Sequence, residues 1–134
     1  MGRERTEEVE KEEQMSAADL WTYRDTTATT TDLAGYKVEA LDGSIGSVDE
    51  ATNEAGGSYL VIDTGPWIFG KKVMLPAGII DRVDSVDETV YVNRMKDEIK
   101  DAPEFEEDRY RDTQYRDELA GYYGPGGPGY RDWI

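Results

Sequence analysis

The sequence contains no cysteine and no histidine. The first absence excludes disulfides and thiolate metal sites. The second removes the usual general base at neutral pH and the commonest zinc ligand. No apolar run approaches the ~20 residues needed to cross a bilayer as a helix. The opening residues, Met1-Gly2-Arg3-Glu4-Arg5-Thr6-Glu7-Glu8, lack the apolar centre of a secretory signal. The expectation is a cytoplasmic chain without membrane insertion. Basic residues are scarce, 15 against 30 acidic ones in 134 positions, for a net charge of -15. The acidic excess is spread along the chain and no basic patch interrupts it. Phosphate backbones and anionic lipids are therefore repelled, and nucleic acid is not an expected partner. Solubility and basic partners are favoured.

Hydrophobic residues make up 37% and charged residues 34%, too polar an average for a chain packed from end to end. The apolar residues gather in the middle. Three parts follow: a flexible acidic arm with a Thr-rich linker over 1–32, a folding unit over 33–105, and a flexible Tyr/Gly/Pro-rich tail over 106–134. Residues 1–14 are dominated by Glu with a few Arg and Lys and offer little to dock; Met15-Ser16-Ala17 also reads as a translation start. Leu20, Trp21 and Tyr23 form a short amphipathic patch, and the threonine run after it reads as an extended linker. In the tail, glycine and proline at 124–129 predict flexibility.

The middle reads as β structure. Over 36–41, Tyr36, Val38 and Ala40 alternate with Lys37 and Glu39. Asp42-Gly43 is a hairpin signal, since glycine tolerates positive φ. In the next strand, over 44–52, Ile45 and Val48 lie three apart, which a bulge near Gly46 would reconcile. Tyr59-Leu60-Val61-Ile62 is an unbroken apolar run. It predicts a strand buried on both faces, the outer one covered by a terminal segment or by another molecule. Trp67-Ile68-Phe69 and Val73-Met74-Leu75 flank a tight reversal at Gly70-Lys71-Lys72. Residues 79–84 and 89–93 form the last hairpin, with Val90 and Val92 inward and Thr89 and Tyr91 outward. A short helix over 96–100 follows, with Asn93 as its cap. About six short strands and a closing helix predict an all-β fold, a small barrel over 33–93.

The run Gly35-Tyr36-Lys37-Val38, then Leu41-Asp42-Gly43-Ser44-Ile45-Gly46-Ser47-Val48, resembles the opening hairpin of the PRC-barrel family. The later Val73-Met74-Leu75-Pro76, Val83-Asp84 and Thr89-Val90-Tyr91-Val92 look like that family's closing strands. The resemblance covers about residues 33–105. It implies a barrel used for docking and assembly, as in the photosynthetic reaction-centre H subunit and a ribosome-maturation factor. It implies no cofactor. The sequence shows neither a membrane helix ahead of the barrel nor a separate β domain, so a stand-alone bacterial member is expected.

No catalytic set stands out, so the chain is read as a non-enzymatic adaptor for a protein partner; a self-associating structural or stress-associated homo-oligomer is the alternative. No metal site is expected. Asp42-Gly43-Ser44 has too few acids for a calcium loop, and Asp81, Asp84, Asp87 and Glu88 read as a solvated turn. The candidate contact residues are Trp67, Phe69, Lys71 and Lys72 in the most distinctive loop, because Trp is enriched at binding hot spots. Tail aromatics Tyr110, Tyr115, Tyr130 and Trp133 join them. A Tyr-Arg-Asp triplet recurs at 23–25, 110–112, 115–117 and 130–132. Such a tail is either a plain soluble tail or a docking segment that orders on a partner or folds back on the barrel.

Overall fold

The computed structural model describes residues 20–53, 57–65, 72–103, 105 and 113–130. One sheet holds β1 (Lys37–Ala40), β2 (Gly43–Ala51), β3 (Tyr59–Asp63), β4 (Lys72–Pro76), β5 (Ile80–Asp84) and β6 (Thr89–Val92). Its order is β4-β3-β2-β1-β6-β5. All neighbours are antiparallel except β1 and β6, which run parallel. Helices α1 (Thr27–Thr30), α2 (Lys96–Lys100) and α3 (Thr113–Tyr123) lie outside the sheet.

Alternation in β1 buries Val38 and Ala40 and exposes Lys37. Across from it, Val38 faces Gly46 and Glu39 faces Ser44, so Ile45 is an extra residue in β2. This bulge, expected near Gly46, lets Ile45 and Val48 both enter the core three positions apart. Gly46 is required there: its φ is 139°, and a Cβ would stand 2.0 Å from the Asp63 carbonyl oxygen. Val38, Val48, Leu60, Ile62, Leu75, Ile80, Val90 and Val92 fill the interior, none more than 3% exposed.

The six-stranded sheet with a short helix after it agrees with the all-β expectation, and the sheet is not closed. Only a 3-10 turn, Ala77–Ile79, separates β4 from β5, so the two edge strands meet within about 14 Å of chain. No ladder joins them. The backbone groups at that seam have other partners. Pro76 has no N–H to offer. The Ala77 N–H donates to Ser58 O at 3.0 Å, and Ile79 O accepts the Asn93 N–H at 2.8 Å. The Val83 N–H donates to the Asp25 carboxylate at 2.8 Å.

The segment ahead of β1 is not an extended linker. Leu20, Trp21, Tyr23, Ala28 and Leu33 are buried. The threonines turn into α1 because Thr29 and Thr30 hydroxyls donate to the Thr26 and Thr27 carbonyls, at 2.7 and 3.4 Å. Asp25 accepts the Thr27 N–H at 2.9 Å with one oxygen and covers the β5 edge with the other. The Ser58 N–H donates to Trp21 O at 2.8 Å, and the Tyr23 hydroxyl to Thr52 O at 2.5 Å. Tyr59, Leu60, Val61 and Ile62 are all buried within the single chain, as the apolar run predicts.

Two local expectations are corrected. Thr89 is buried rather than outward, its hydroxyl donating to Asp87 O at 3.1 Å. Asn93 does not cap α2. Asp42 accepts the Lys96 N–H and Glu98 accepts the Met95 N–H, each at 2.8 Å.

Hydrogen bonds, first from the Val83 N–H and then from Thr27, hold the Asp25 carboxyl below its ordinary value. A lowered folded-state value stabilises the fold above the unfolded value near ~3.9, and that stability is lost as pH falls through the folded value. Asp25→Asn is expected to lose about 1 kcal/mol at neutral pH and to weaken the acid sensitivity below about pH 4. Urea unfolding at neutral and acid pH checks this; equal acid sensitivity contradicts it. Gly46→Ala is expected to cost about 2 kcal/mol or more from strain and overlap. A change below about 0.5 kcal/mol, the usual range for a neutral surface site, speaks against the bulge geometry.

Candidate functional site

Five of the sequence-derived contact residues, Trp67, Phe69, Lys71, Tyr110 and Trp133, lie outside the described residues. Lys72 opens β4, and its Nζ reaches over β3 to Asp49 Oδ2 at 3.0 Å. Both side chains are partly exposed, so the pair is worth at most about 1 kcal/mol. Beside it, residues 44–47 of β2 and 63–65 after β3 bound an open groove of about 450 Å3.

The acidic hairpin serves its own turn. Asp84 Oδ1 accepts the Val86 and Asp87 N–H groups at 2.9 and 3.0 Å. These bonds, the one from Asp87 foremost, hold its carboxyl below the usual range. Glu88 takes a φ of 52° at the end of the turn. The Arg82 guanidinium lies 3.8 Å from the centre of the Tyr91 ring. A second open groove of about 630 Å3 lies between residues 24–26 and 81–82, but its Asp25 is engaged with Val83 and Thr27. Among the described residues no group of three or more acids is placed to hold a metal ion.

The largest departure from the sequence reading is at the C-terminal end. A flexible tail is predicted over 106–134, yet α3 is docked. Tyr115, Leu119 and Tyr123 recur every four residues and are at most 1% exposed. The Tyr115 hydroxyl donates to Pro103 O at 3.3 Å, and its ring meets Phe105 edge-on at 6.5 Å. The Tyr122 hydroxyl donates to Glu98 O at 2.5 Å. The Arg116 guanidinium lies 4.6 Å from the Trp21 ring centre and 5.8 Å from that of Tyr59. Tyr115 is thus an internal anchor rather than a displayed contact. Tyr130 is half-buried, with its N–H donating to Gly127 O at 3.2 Å.

The glycines at the end permit close packing. A Cβ on Gly127 would stand 2.2 Å from the Gly121 and Tyr122 carbonyl oxygens, and one on Gly129 2.3 Å from the Tyr122 ring. In both described Tyr-Arg-Asp copies at 23–25 and 115–117, the tyrosine is buried and its hydroxyl donates to a backbone carbonyl. Burial pushes the Tyr23 phenol up to about 12 and raises that of Tyr123 as well.

Arg94 went unnoticed in the sequence because Asn93-Arg94-Met95 reads as an ordinary polar turn. It is 0% exposed. Its Nε donates to Gly129 O at 2.7 Å, Nη1 to Asn93 O at 2.6 Å and Nη2 to Tyr123 O at 3.3 Å. Its own carbonyl accepts the Leu41 N–H at 2.9 Å. The guanidinium sits at the electronegative C-terminal end of α3, where the last carbonyls have no helical donors.

No protein-family model matches the sequence and no curated protein does. Among solved structures, the chain is similar to one described as a 16S ribosomal RNA processing protein, RimM, from Pseudomonas aeruginosa. Identity is 19% and the TM-score 0.42, over 48% of this chain and 42% of that one. The chain thus spans less than half the length of that protein, and a likeness of this size says nothing about its activity or partners.

Arg94→Ala leaves the Tyr123 and Gly129 carbonyls unmet, at about 1–3 kcal/mol for each buried group. The expected result is a loss of about 3 kcal/mol in urea unfolding, with new protease cleavage within residues 113–130. Lysine at 94 should rescue only part, lacking the planar fork. Stability equal to the parent would contradict the clamp.

Proposed function

We propose that this chain is a PRC-barrel-type, non-enzymatic adaptor that binds a protein partner in the cytoplasm. The observation that carries this reading is the division between inside and outside. The described interior is filled by side chains, and the described concavities are shallow surface grooves. Lys72 stands beside one of these grooves, and Trp67, Phe69 and Lys71, just ahead of it in the sequence, are the aromatic and basic contact candidates. A net charge of -15 favours a basic partner. The β4 edge adds a place for strand pairing. Self-association through the 59–62 run has no observation in its favour, since that run is covered inside one chain.

Because α3 belongs to the folded unit, removing the tail is a poor test of binding. The clean variant is Trp67→Ala with Phe69→Ala in the full chain, compared with the parent by quantitative affinity capture. Unchanged melting and a recovery of specific partners lowered about tenfold or more are expected, as for loss of a hot spot. Equal recovery of every partner by the folded variant would sink the reading.

A further inference from the structure

We infer that the paired proline turns over 124–130 form a second contact surface, and that this surface fits an uncharged, aromatic-lined cleft on a partner protein. The inference rests on the adaptor reading and deepens it by naming a further surface and the chemistry of what takes it.

Two β-turns follow α3 back to back. The Gly127 N–H donates to Gly124 O at 3.0 Å, and the Tyr130 N–H to Gly127 O at 3.2 Å. Proline stands at the second position of each turn, as Pro125 and Pro128, where its fixed φ is already the required one. Gly126, third in the first turn, has the positive φ of 86° that a type II turn demands. The turns are fastened to the helix end and to Arg94. The Gly129 N–H donates to Tyr122 O at 2.9 Å, and Gly129 O accepts from Arg94 Nε at 2.7 Å. Internal hydrogen bonds and a positive φ are both foreign to an extended proline helix. A groove built for extended proline peptides therefore does not match this segment, and a cradle for a compact knuckle does.

Close packing accounts for the glycines here but not for the prolines. A Cβ on Gly124 would stand 2.5 Å from Ala120 O, and Gly127 and Gly129 are as tightly placed. Gly124 and Gly129 are buried, whereas Pro125, Gly126 and Pro128 are exposed. Two rings thus stand on a fixed base with only glycine between them in sequence. Proline also has no N–H, so neither position brings an unmet donor into an interface. Charge sets the segment apart as well. Residues 119–130 are the longest uncharged run in a chain with 30 acids and 15 bases. Interface centres are depleted of charge, and this knuckle meets that condition in a strongly acidic protein. Its turns are ordered beforehand, so binding costs little conformational freedom. Aromatic rings are its complement: proline ligands dock in aromatic-lined grooves, and their C–H bonds meet an electron-rich π face. A charged cleft would find no opposite charge on this surface.

The test has two arms on the full chain. In the first, indole is titrated as an uncharged aromatic probe into carbon-13-labelled protein and followed by NMR. Val86, 90% exposed, is the control for general apolar contact. The Pro125 and Pro128 ring signals are expected to shift at least about threefold further than the Val86 methyls. Equal or smaller shifts mean that indole samples apolar surface at large, and overturn the proposal. In the second arm, Pro125→Ala with Pro128→Ala is compared with the parent by quantitative affinity capture. Alanine is compatible with both turns and removes both rings. The folded variant is expected to recover at least one specific partner about tenfold or more less well. If the prolines serve only to stiffen the turns, melting falls and recovery by the folded variant equals the parent's for every partner, which overturns the proposal. If the variant fails to fold, the indole arm on the unaltered chain decides. Neither arm alters Trp67 or Phe69, so this inference and the adaptor reading fail separately.

Discussion

A guanidinium cut off from solvent must be met by acceptors, and meeting that demand at Arg94 organises this protein. Desolvating such a charge costs several kcal/mol. The chain offsets that cost with backbone oxygens: Asn93 at the end of β6, Tyr123 at the end of α3 and Gly129 beyond it. The same residue holds the β1–β2 turn through the Leu41 N–H. The β1–β2 turn, the end of β6 and the 123–129 stretch thus converge on one residue. The C-terminal turn has a fixed place because its glycines allow the carbonyls to approach.

A second guanidinium joins the two ends of the described chain. Arg116 of α3 lies against Trp21, ahead of the sheet, and Tyr59, within it. Trp21 is in turn held by the Ser58 N–H through its carbonyl. Each buried side chain of this size contributes roughly 1.5–3 kcal/mol, so Trp21, Tyr23, Tyr115, Leu119 and Tyr123 form a second layer as important as the sheet's own filling. This layer lets the 59–62 run be buried on both faces without a second molecule. It also leaves the open grooves and the β4 edge at the described surface.

The sheet was legible because its signals are local. Period-two alternation at Val38 and Ala40, the Asp42-Gly43 turn and the spacing of Ile45 and Val48 each dictate backbone shape within a few residues. Closure was not legible, because it depends on which partner each edge N–H finds. Asp25, 58 residues away from Val83, takes one of them. The flanks were misread for a related reason. Charge and glycine dominate their composition, while their order comes from a few anchors four residues apart and from receptors elsewhere in the chain. Threonine hydroxyls bonding back to the backbone made a helical turn from residues whose branching argues against one. The candidate site was read less fully. The bond of Lys72 to Asp49 and the burial of Tyr115 depend on contacts across strands and between ends.

The most direct test of this account is the exchange rate of the Arg94 Nε proton, read by nitrogen-15 NMR and compared with that of the exposed Arg24. The account predicts a sharp, slowly exchanging Arg94 signal with through-space contacts to Gly129 and Tyr123. An Arg94 signal exchanging as fast as that of Arg24, with no such contacts, would contradict it.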